Sequence, residues 1–448
     1  MYHSISSVAE NGEALAAVWQ DGAQTDLPYL WLRDNCGCSE CRVEQTTEKR
    51  FHLFRVAVDL RPSQVGIERP GREDEAIAIA WPDGHRTRYR SSEIHDLIEL
   101  PRTEPRYWDG SFRPRQFDYR RFLDHDRTAA ELIEDFLETG ACVLVDAPTE
   151  PDSSEQLAAR LGPIREVVFD RIHDVVVDPA GYSIAHTKLA LAPHNDFTSY
   201  NWPPSVQLLH MLVNECEGGD SAIVDAFGVV DGLRRDHPEK FDALCAVPVP
   251  FRLFSDDEES YAVNPVIDLD AGGNVRLVRF NTQQMQPIPL SEPRLNDFYA
   301  AYHELSTRMN DPGVRASCRL EAGHIMLMAS HRVLHGRSAL RSTGMRHLQD
   351  AYFEHDNVRN HLKLLRRTGR ILRTPRGSVP AHLRGGREPV PRRPAGAPWP
   401  RRTGPAAGPR RRRRGSDRCA GSRTGGRWRT PPAATGLARF AHQVDRLA

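Results

Sequence analysis

HNDFTSYNWPPSVQLLHMLVNECEGGDSAIVDAF, residues 194–227, decides the reading of this chain. It opens on His194 and Asp196, two metal-ligating side chains at alternate positions, and continues through two strand-like stretches, SVQLLHML and SAIVDA. A second histidine lies far downstream, His335 in HRVLHGR at 331–337. Two imidazoles and one carboxylate can hold one face of a non-haem Fe(II) and leave the other face for a co-substrate and O2. Arg346, in GMRHLQDAY, offers a two-point hydrogen bond to a carboxylate. An HxD pair alone is a weak signal; the pair with a later His-Gly-Arg and Arg-His-Leu is a specific one.

These segments resemble the Fe(II)/2-oxoglutarate dioxygenases of the gamma-butyrobetaine and trimethyllysine hydroxylase group, most closely in PPSVQLLH and GGDSAIVDAF. The similarity runs from about Leu30 to about Arg366. It implies an α+β chain with a double-stranded β-helix (jelly-roll) catalytic domain, preceded by a small β-rich zinc-binding domain. It also implies that His194, Asp196 and His335 ligate iron and that Arg346 binds the distal carboxylate of 2-oxoglutarate. The expected reaction is hydroxylation of a C–H bond with release of succinate and CO2, so the partners are a small-molecule substrate and O2. Since the metal centre carries the chemistry, no nucleophile or general base is assigned. Cys216, Cys245 and Cys318 are read as core residues.

RDNCGCSECR, 33–42, puts Cys36, Cys38 and Cys41 within six residues. Thiolates at this spacing reach one small volume, and Zn(II) needs a fourth ligand to complete a tetrahedron. The sequence offers His52 and His85. The resemblance selects His85, because its family places the zinc histidine in WPDxH. Four protein ligands leave no open position, so this zinc is expected to be structural.

Around these motifs the chain divides by pattern. Residues 1–100 read as short strands, among them LPYLWLRDN, FHLFRVAV, AIAIAWPDG and TRYRSSEI, with one helical turn or more in HDLIEL. A Pro- and charge-rich linker follows at 101–118, then the mixed dioxygenase domain at 119–366. Within it, TAAELIEDFLETG and EPRLNDFYAAYHELSTRMND have helical spacing, and SSEQLAARLGPI reads as a helix capped by Ser153 or Ser154. ACVLVDA, NVRLVRF and HIMLMAS read as strands.

Residues 367–448 differ in kind. The 448-residue chain is formally neutral, yet 22 of its 60 basic residues, all arginine, lie in 366–448 beside three acids. Such a segment buries too little apolar surface to offset chain entropy. It reads as a disordered extension or a shifted reading frame, and a nucleic-acid partner is not expected. MYHSISSVAENGEALAAVW lacks a basic segment followed by an apolar run, and no apolar run reaches membrane-spanning length. The grouped cysteines suit a reducing compartment, so a cytoplasmic protein is expected. A homodimer follows from the resemblance alone.

The substrate is read from the pocket positions that the resemblance points to. Tyr352 matches one ring of the aromatic cage by which relatives hold a trimethylammonium group. Phe197 and His186 each replace a Tyr, and Phe169 and His173 fall where relatives have Tyr and Trp. The expected substrate is a small amino- or trimethylammonium-bearing zwitterion, gamma-butyrobetaine-like. The added imidazoles, with Arg171 and Lys188 near in sequence, raise a second reading, an aminoethylphosphonate or its N-methylated form. Two departures stand out: Ala329-Ser330 where relatives read Asp-Asn, which weakens support around the metal, and Asp350 where they commonly have Gly. A catalytically silent metal-binding relative is the reading of another class.

Overall fold

Six strands of one sheet and four of another face each other across a buried apolar layer. The computed structural model describes residues 4–98, 105–177, 184–255, 258–341 and 344–368. The larger sheet runs Arg115–Asp118, Ala141–Val145, Ile325–Met328, Val206–Asn214, Arg346–Phe353, Ile172–Val176. The smaller runs Leu191–His194, Val333–Arg337, Ser221–Asp225, Arg315–Cys318. Every pairing in them is antiparallel except Arg115–Asp118 with Ala141–Val145. This is the jelly-roll arrangement.

The period of two explains why the central strands look uniformly apolar. On Ile325–Met328, Ile325 and Leu327 pack outward with helix Asp126–Thr139, while Met326 and Met328 point inward to meet Ile223 and Val333 of the smaller sheet. Val206–Asn214 behaves alike: Val206 and Leu208 face the helices, Leu209 and Met211 the interior. A third cluster joins helices Ala226–Asp236, Pro238–Ala246 and Leu295–Met309 to two hairpins. Asp225 caps the first of these helices and also takes a buried ion pair from Arg332 at 2.7 Å, which fixes the start of strand Val333–Arg337.

A separate core lies under two three-stranded sheets near the N-terminus, Ile5–Asn11/Ala14–Trp19/Gln24–Pro28 and Gln64–Glu68/Ala76–Ala80/Arg86–Arg90. Here the reading by pattern needs correction. LPYLWLRDN is a strand only to Pro28 and then helix Tyr29–Asp34, whose buried Tyr29, Leu32 and Arg33 follow helical spacing. FHLFRVAV forms no strand; Leu53–Arg55 is a 3-10 turn. TRYRSSEI changes to helix at Ser91, giving Ser91–Ile98.

Beside the larger sheet, SSEQLAARL is a 3-10 turn, Ser153–Leu157, followed by helix Ala158–Leu161. Neither serine caps the helix: Leu157 holds its N-cap position, Asp152 that of the 3-10 turn, and Ser153 donates to Pro148 O instead. The 101–118 connector gives its last four residues to the larger sheet, and Trp108 is tied down by its Nε1 donating to Thr139 O at 2.7 Å. Among the described residues no helix is long and apolar enough to cross a membrane. The readings of 369–448 lie outside the described residues.

Candidate active site

The two sequence-distant histidines are brought together by strand register. His194 ends Leu191–His194 and is the cross-strand partner of His335 on Val333–Arg337. Gly336 permits this closeness, because a Cβ there would meet Leu191 O at 2.7 Å. Asp196 follows in the turn after the first strand, before Phe197 in a left-handed conformation (φ 54°). Its two oxygens lie 3.5 Å from His194 Nε2 and 3.8 Å from His335 Nε2. One ligand atom from each of the three residues falls within 4.8 Å of the others.

Electrostatics suit a cation at this point. Burial alone would raise the Asp196 carboxyl, but the two imidazoles and a hydrogen bond from Tyr352 hold it well below the usual carboxylate range. Burial lowers His335 to about 4, whereas the Asp196 charge overcomes burial at His194 and raises it. An ionised carboxylate between two imidazoles is a donor set that fits Fe(II).

The triad opens on a cavity of about 880 Å³, open solvent at its mouth included. Strand Arg346–Phe353 contributes Arg346, Leu348, Asp350 and Tyr352 to its wall, the inward-facing alternate positions. Arg346 is buried, its Nε has no partner, and no described carboxylate forms a salt bridge with it. Burial, with Arg337 nearby, lowers it to about 10. A buried, unpaired guanidinium in this wall fits an incoming carboxylate such as that of 2-oxoglutarate.

Every ring named from the sequence lines the same cavity: Phe169, His173, His186, Phe197 and Tyr352. Phe197 sits 5.0 Å from Tyr352, edge to face, and 5.8 Å from Phe169; Phe169 stacks on His173 at 5.1 Å. Arg171 and Lys188 do not join them. Arg171 pairs with Glu155 at 2.9 Å, and Lys188 is exposed outside the wall.

Three contributors escaped the reading by motif. Gln207 donates through Nε2 to Asp196 Oδ2 at 2.6 Å and to Tyr352 Oη at 3.2 Å. Arg337 donates to the carbonyls of Ala185, Thr187 and Leu189, holding the segment that carries His186. Asn195 donates to Val278 O and Ser330 O, tying the ligand turn to the neighbouring chain. Ser330 itself donates to Pro204 O at 2.6 Å and Ala329 packs in the core, so this stretch is anchored without the Asp-Asn pair. Gln207 is one of three polar residues, with His210 and Asn214, in the strand VQLLHMLVN.

A second candidate metal group stands in the N-terminal part. His85 Nε2 lies 3.3, 3.6 and 3.5 Å from Sγ of Cys36, Cys38 and Cys41. The WPDGH turn presents it, closed by Trp81 N donating to His85 O. His52, the other candidate, stacks on Phe54 away from the thiols. Cys216 is buried and Cys245 and Cys318 are half-buried, outside both groups.

Residues 101–352 match the family model "Taurine catabolism dioxygenase TauD, TfdA family", and residues 7–93 match "Gamma-butyrobetaine hydroxylase-like, N-terminal". A gamma-butyrobetaine dioxygenase of Pseudomonas sp. (strain AK-1) is 31% identical over 374 residues, covering 81% of this chain and 96% of that protein. The human gamma-butyrobetaine dioxygenase is 27% identical, covering 80% and 95%. A trimethyllysine dioxygenase of Meyerozyma guilliermondii is 27% identical, covering 82% and 96%.

Proposed function

The chain belongs to the TauD/TfdA family and is a 2-oxoglutarate-dependent dioxygenase using Fe(II), and on that premise we propose that it hydroxylates a small zwitterion bearing an amino or trimethylammonium group. The observation that carries this is one cavity wall holding the His194–Asp196–His335 group, the unpaired Arg346 and a set of rings suited to a cation. We assign the three residues to iron and Arg346 to the distal carboxylate of 2-oxoglutarate. Bound there, Fe(II) and 2-oxoglutarate supply the oxidation: O2 is consumed, succinate and CO2 leave, and one oxygen atom enters a C–H bond of the substrate.

The protein's own residues position and exclude. Gln207 and Tyr352 fix the orientation of Asp196 by hydrogen bonds to Oδ2. Phe197 and Phe169 shield the cavity from water and face the cation. Arg337 holds the 185–189 wall in place. The phosphonate reading began from the added imidazoles, and His173 and His186 do line the cavity; Arg171 and Lys188, named beside them, stand outside it.

We further assign zinc to Cys36, Cys38, Cys41 and His85, in a small domain over residues 1–100 joined by 101–118 to a dioxygenase domain over 119–366. Free thiols grouped in this way fit a reducing cytoplasm. A homodimer is the assembly we propose.

The test is succinate formation by anaerobically purified, Fe(II)-loaded protein given 2-oxoglutarate, O2 and a panel of betaines, amino acids and aminophosphonates. Stimulation by a betaine or amino acid supports the proposal. Stimulation by an aminophosphonate alone overturns the gamma-butyrobetaine-like substrate in favour of the phosphonate one, and stimulation by no member overturns the proposal.

A further inference from the structure

One polar group in the cavity wall is left over by the iron and 2-oxoglutarate assignments. Asp350 stands between Leu348 and Tyr352 in the inward row and is only 8% exposed. Its Oδ2 lies 2.8 Å from Tyr352 Oη, while its Oδ1 has no hydrogen-bond partner. Strand register sets it opposite His173, the ring stacked on Phe169. A carboxyl group therefore sits among the rings proposed to hold the cation.

Counting protons around Tyr352 shows which Asp350 oxygen is engaged. Gln207 Nε2 donates to Tyr352 Oη, which also touches Asp196 Oδ2 at 3.0 Å and Asp350 Oδ2 at 2.8 Å. A phenol has one proton and can donate to only one carboxylate. The other contact must receive its proton from the acid. Whichever carboxyl carries it, the contact at Asp350 is made through Oδ2 alone. Its Oδ1 is left as a buried acceptor without a donor.

Aromatic faces attract any alkylammonium, methylated fully or in part. A quaternary nitrogen has no N–H to give, and its methyl group would press on the unpaired oxygen. An ammonium that keeps one proton satisfies ring and oxygen together. We propose that Asp350 is a specificity-determining residue that makes this cavity prefer an ammonium group retaining at least one N–H over a quaternary one, with that N–H donating to Asp350 Oδ1. The inference rests on the reading above that the cavity takes a cationic amine, and it narrows the substrate class within it.

The experiment is anaerobic calorimetry on the Fe(II)- and 2-oxoglutarate-loaded protein, so that binding is read without turnover. The probes are γ-aminobutyrate and aminoethylphosphonate with their N-methyl, N,N-dimethyl and N,N,N-trimethyl forms. The N,N-dimethyl member should bind about tenfold tighter than the trimethyl member of the same series. Asp350→Leu should abolish or invert that ratio, and Asp350→Asn, which keeps an acceptor oxygen, should restore part of it. Trimethyl binding equal to or tighter than dimethyl in the unaltered protein overturns the inference, as does failure of every member to bind. The unaltered protein decides even if a variant does not fold. An N–H preference in binding without succinate formation on admitting O2 would defeat the proposed function and leave this inference standing.

Discussion

His194 and His335 are direct partners across an antiparallel strand pair, their ring centroids 4.4 Å apart, although 140 residues separate them in sequence. Gly336 makes the approach possible, since a Cβ there would strike backbone atoms, Leu191 O at 2.7 Å and Ala192 C at 3.2 Å. Gly336→Ala must push the strands apart and with them the two imidazoles. We expect Fe(II) content to fall about tenfold or more, as for loss of groups that orient ligands, and stability to drop by about 1–3 kcal/mol. Iron per chain and urea unfolding check this; full iron loading in the variant would contradict it.

Gln207 is expected to act through Asp196 and not by touching substrate. Its Nε2 is the shortest contact to Asp196 Oδ2, at 2.6 Å. Gln207→Leu removes that donor while keeping the strand apolar, so the fold should persist. Fe(II) affinity or kcat should fall by about 10–100-fold, with the KM for 2-oxoglutarate little changed. Titration of the metal-free protein with Fe(II) reads the effect directly, and unchanged affinity would show that Tyr352 alone holds the carboxylate.

Arg346 offers a different signature. Arg346→Lys keeps a charge but loses the forked geometry, and Arg346→Met loses both. The KM for 2-oxoglutarate should rise by about tenfold in the first and about a hundredfold in the second, as expected for hydrogen bonds to a charged group. Iron content should stay normal in each. A normal KM in Arg346→Met would transfer the role to Arg337, the other guanidinium in the wall.

How far the sequence reveals this molecule depends on which periodicity each residue obeys. His194 and His335 stood out as motifs, but the short strands that carry them, Leu191–His194 and Val333–Arg337, were not read as strands; their pairing came through resemblance, since no local pattern encodes contact over such a distance. Gln207 went unread because its strand is buried on both faces, so the usual alternation of polar and apolar residues is missing. LPYLWLRDN misled because Tyr29, Leu30, Trp31 and Leu32 satisfy strand composition, while burial follows Tyr29, Leu32 and Arg33 around a helix that starts after Pro28. Arg171 and Lys188 illustrate the converse: nearness in sequence to His173 and His186 did not place them in the cavity.

The Cys36, Cys38, Cys41 and His85 group should hold one Zn(II) per chain and hold the N-terminal part folded. Binding at comparable sites in small peptides is worth about 10–16 kcal/mol at neutral pH, more than a small domain's whole stability. Cys41→Ser should abolish zinc retention, measured by elemental analysis, and lower the first thermal transition. Arg33 would lose its contact to Cys41 Sγ, 3.4 Å, but keep Asp83 at 3.0 Å, so loss of that bond alone would not account for unfolding. A protein that purifies without zinc and melts normally would defeat the assignment.

Acid stability should report on histidines outside both metal groups. Burial lowers His210 and His331 to about 4 and His355 to about 3, against about 6.5 in an unfolded chain. Between those values the unfolded state binds more protons than the folded state, so stability rises with pH. It is fully present above about pH 6.5 and is lost as pH falls toward 4, on the order of 2–3 kcal/mol per histidine. Glu75, whose carboxyl stays low despite burial because Ile5 N, Gly71 N and Ser4 Oγ donate to it, adds its loss only below about pH 4.5. Between pH 6.5 and 5 the imidazoles are opposed by Asp350, whose raised carboxyl keeps in the fold a proton that the unfolded chain releases, and acid release of metal there would be common to any variant. His210, fully buried on strand Val206–Asn214 and away from both metal groups, is the one to replace. The difference in urea midpoint between the unaltered protein and His210→Phe, followed from pH 7.5 to 5, should shrink or reverse as pH falls; a constant difference would mean that His210 does not remain neutral in the fold.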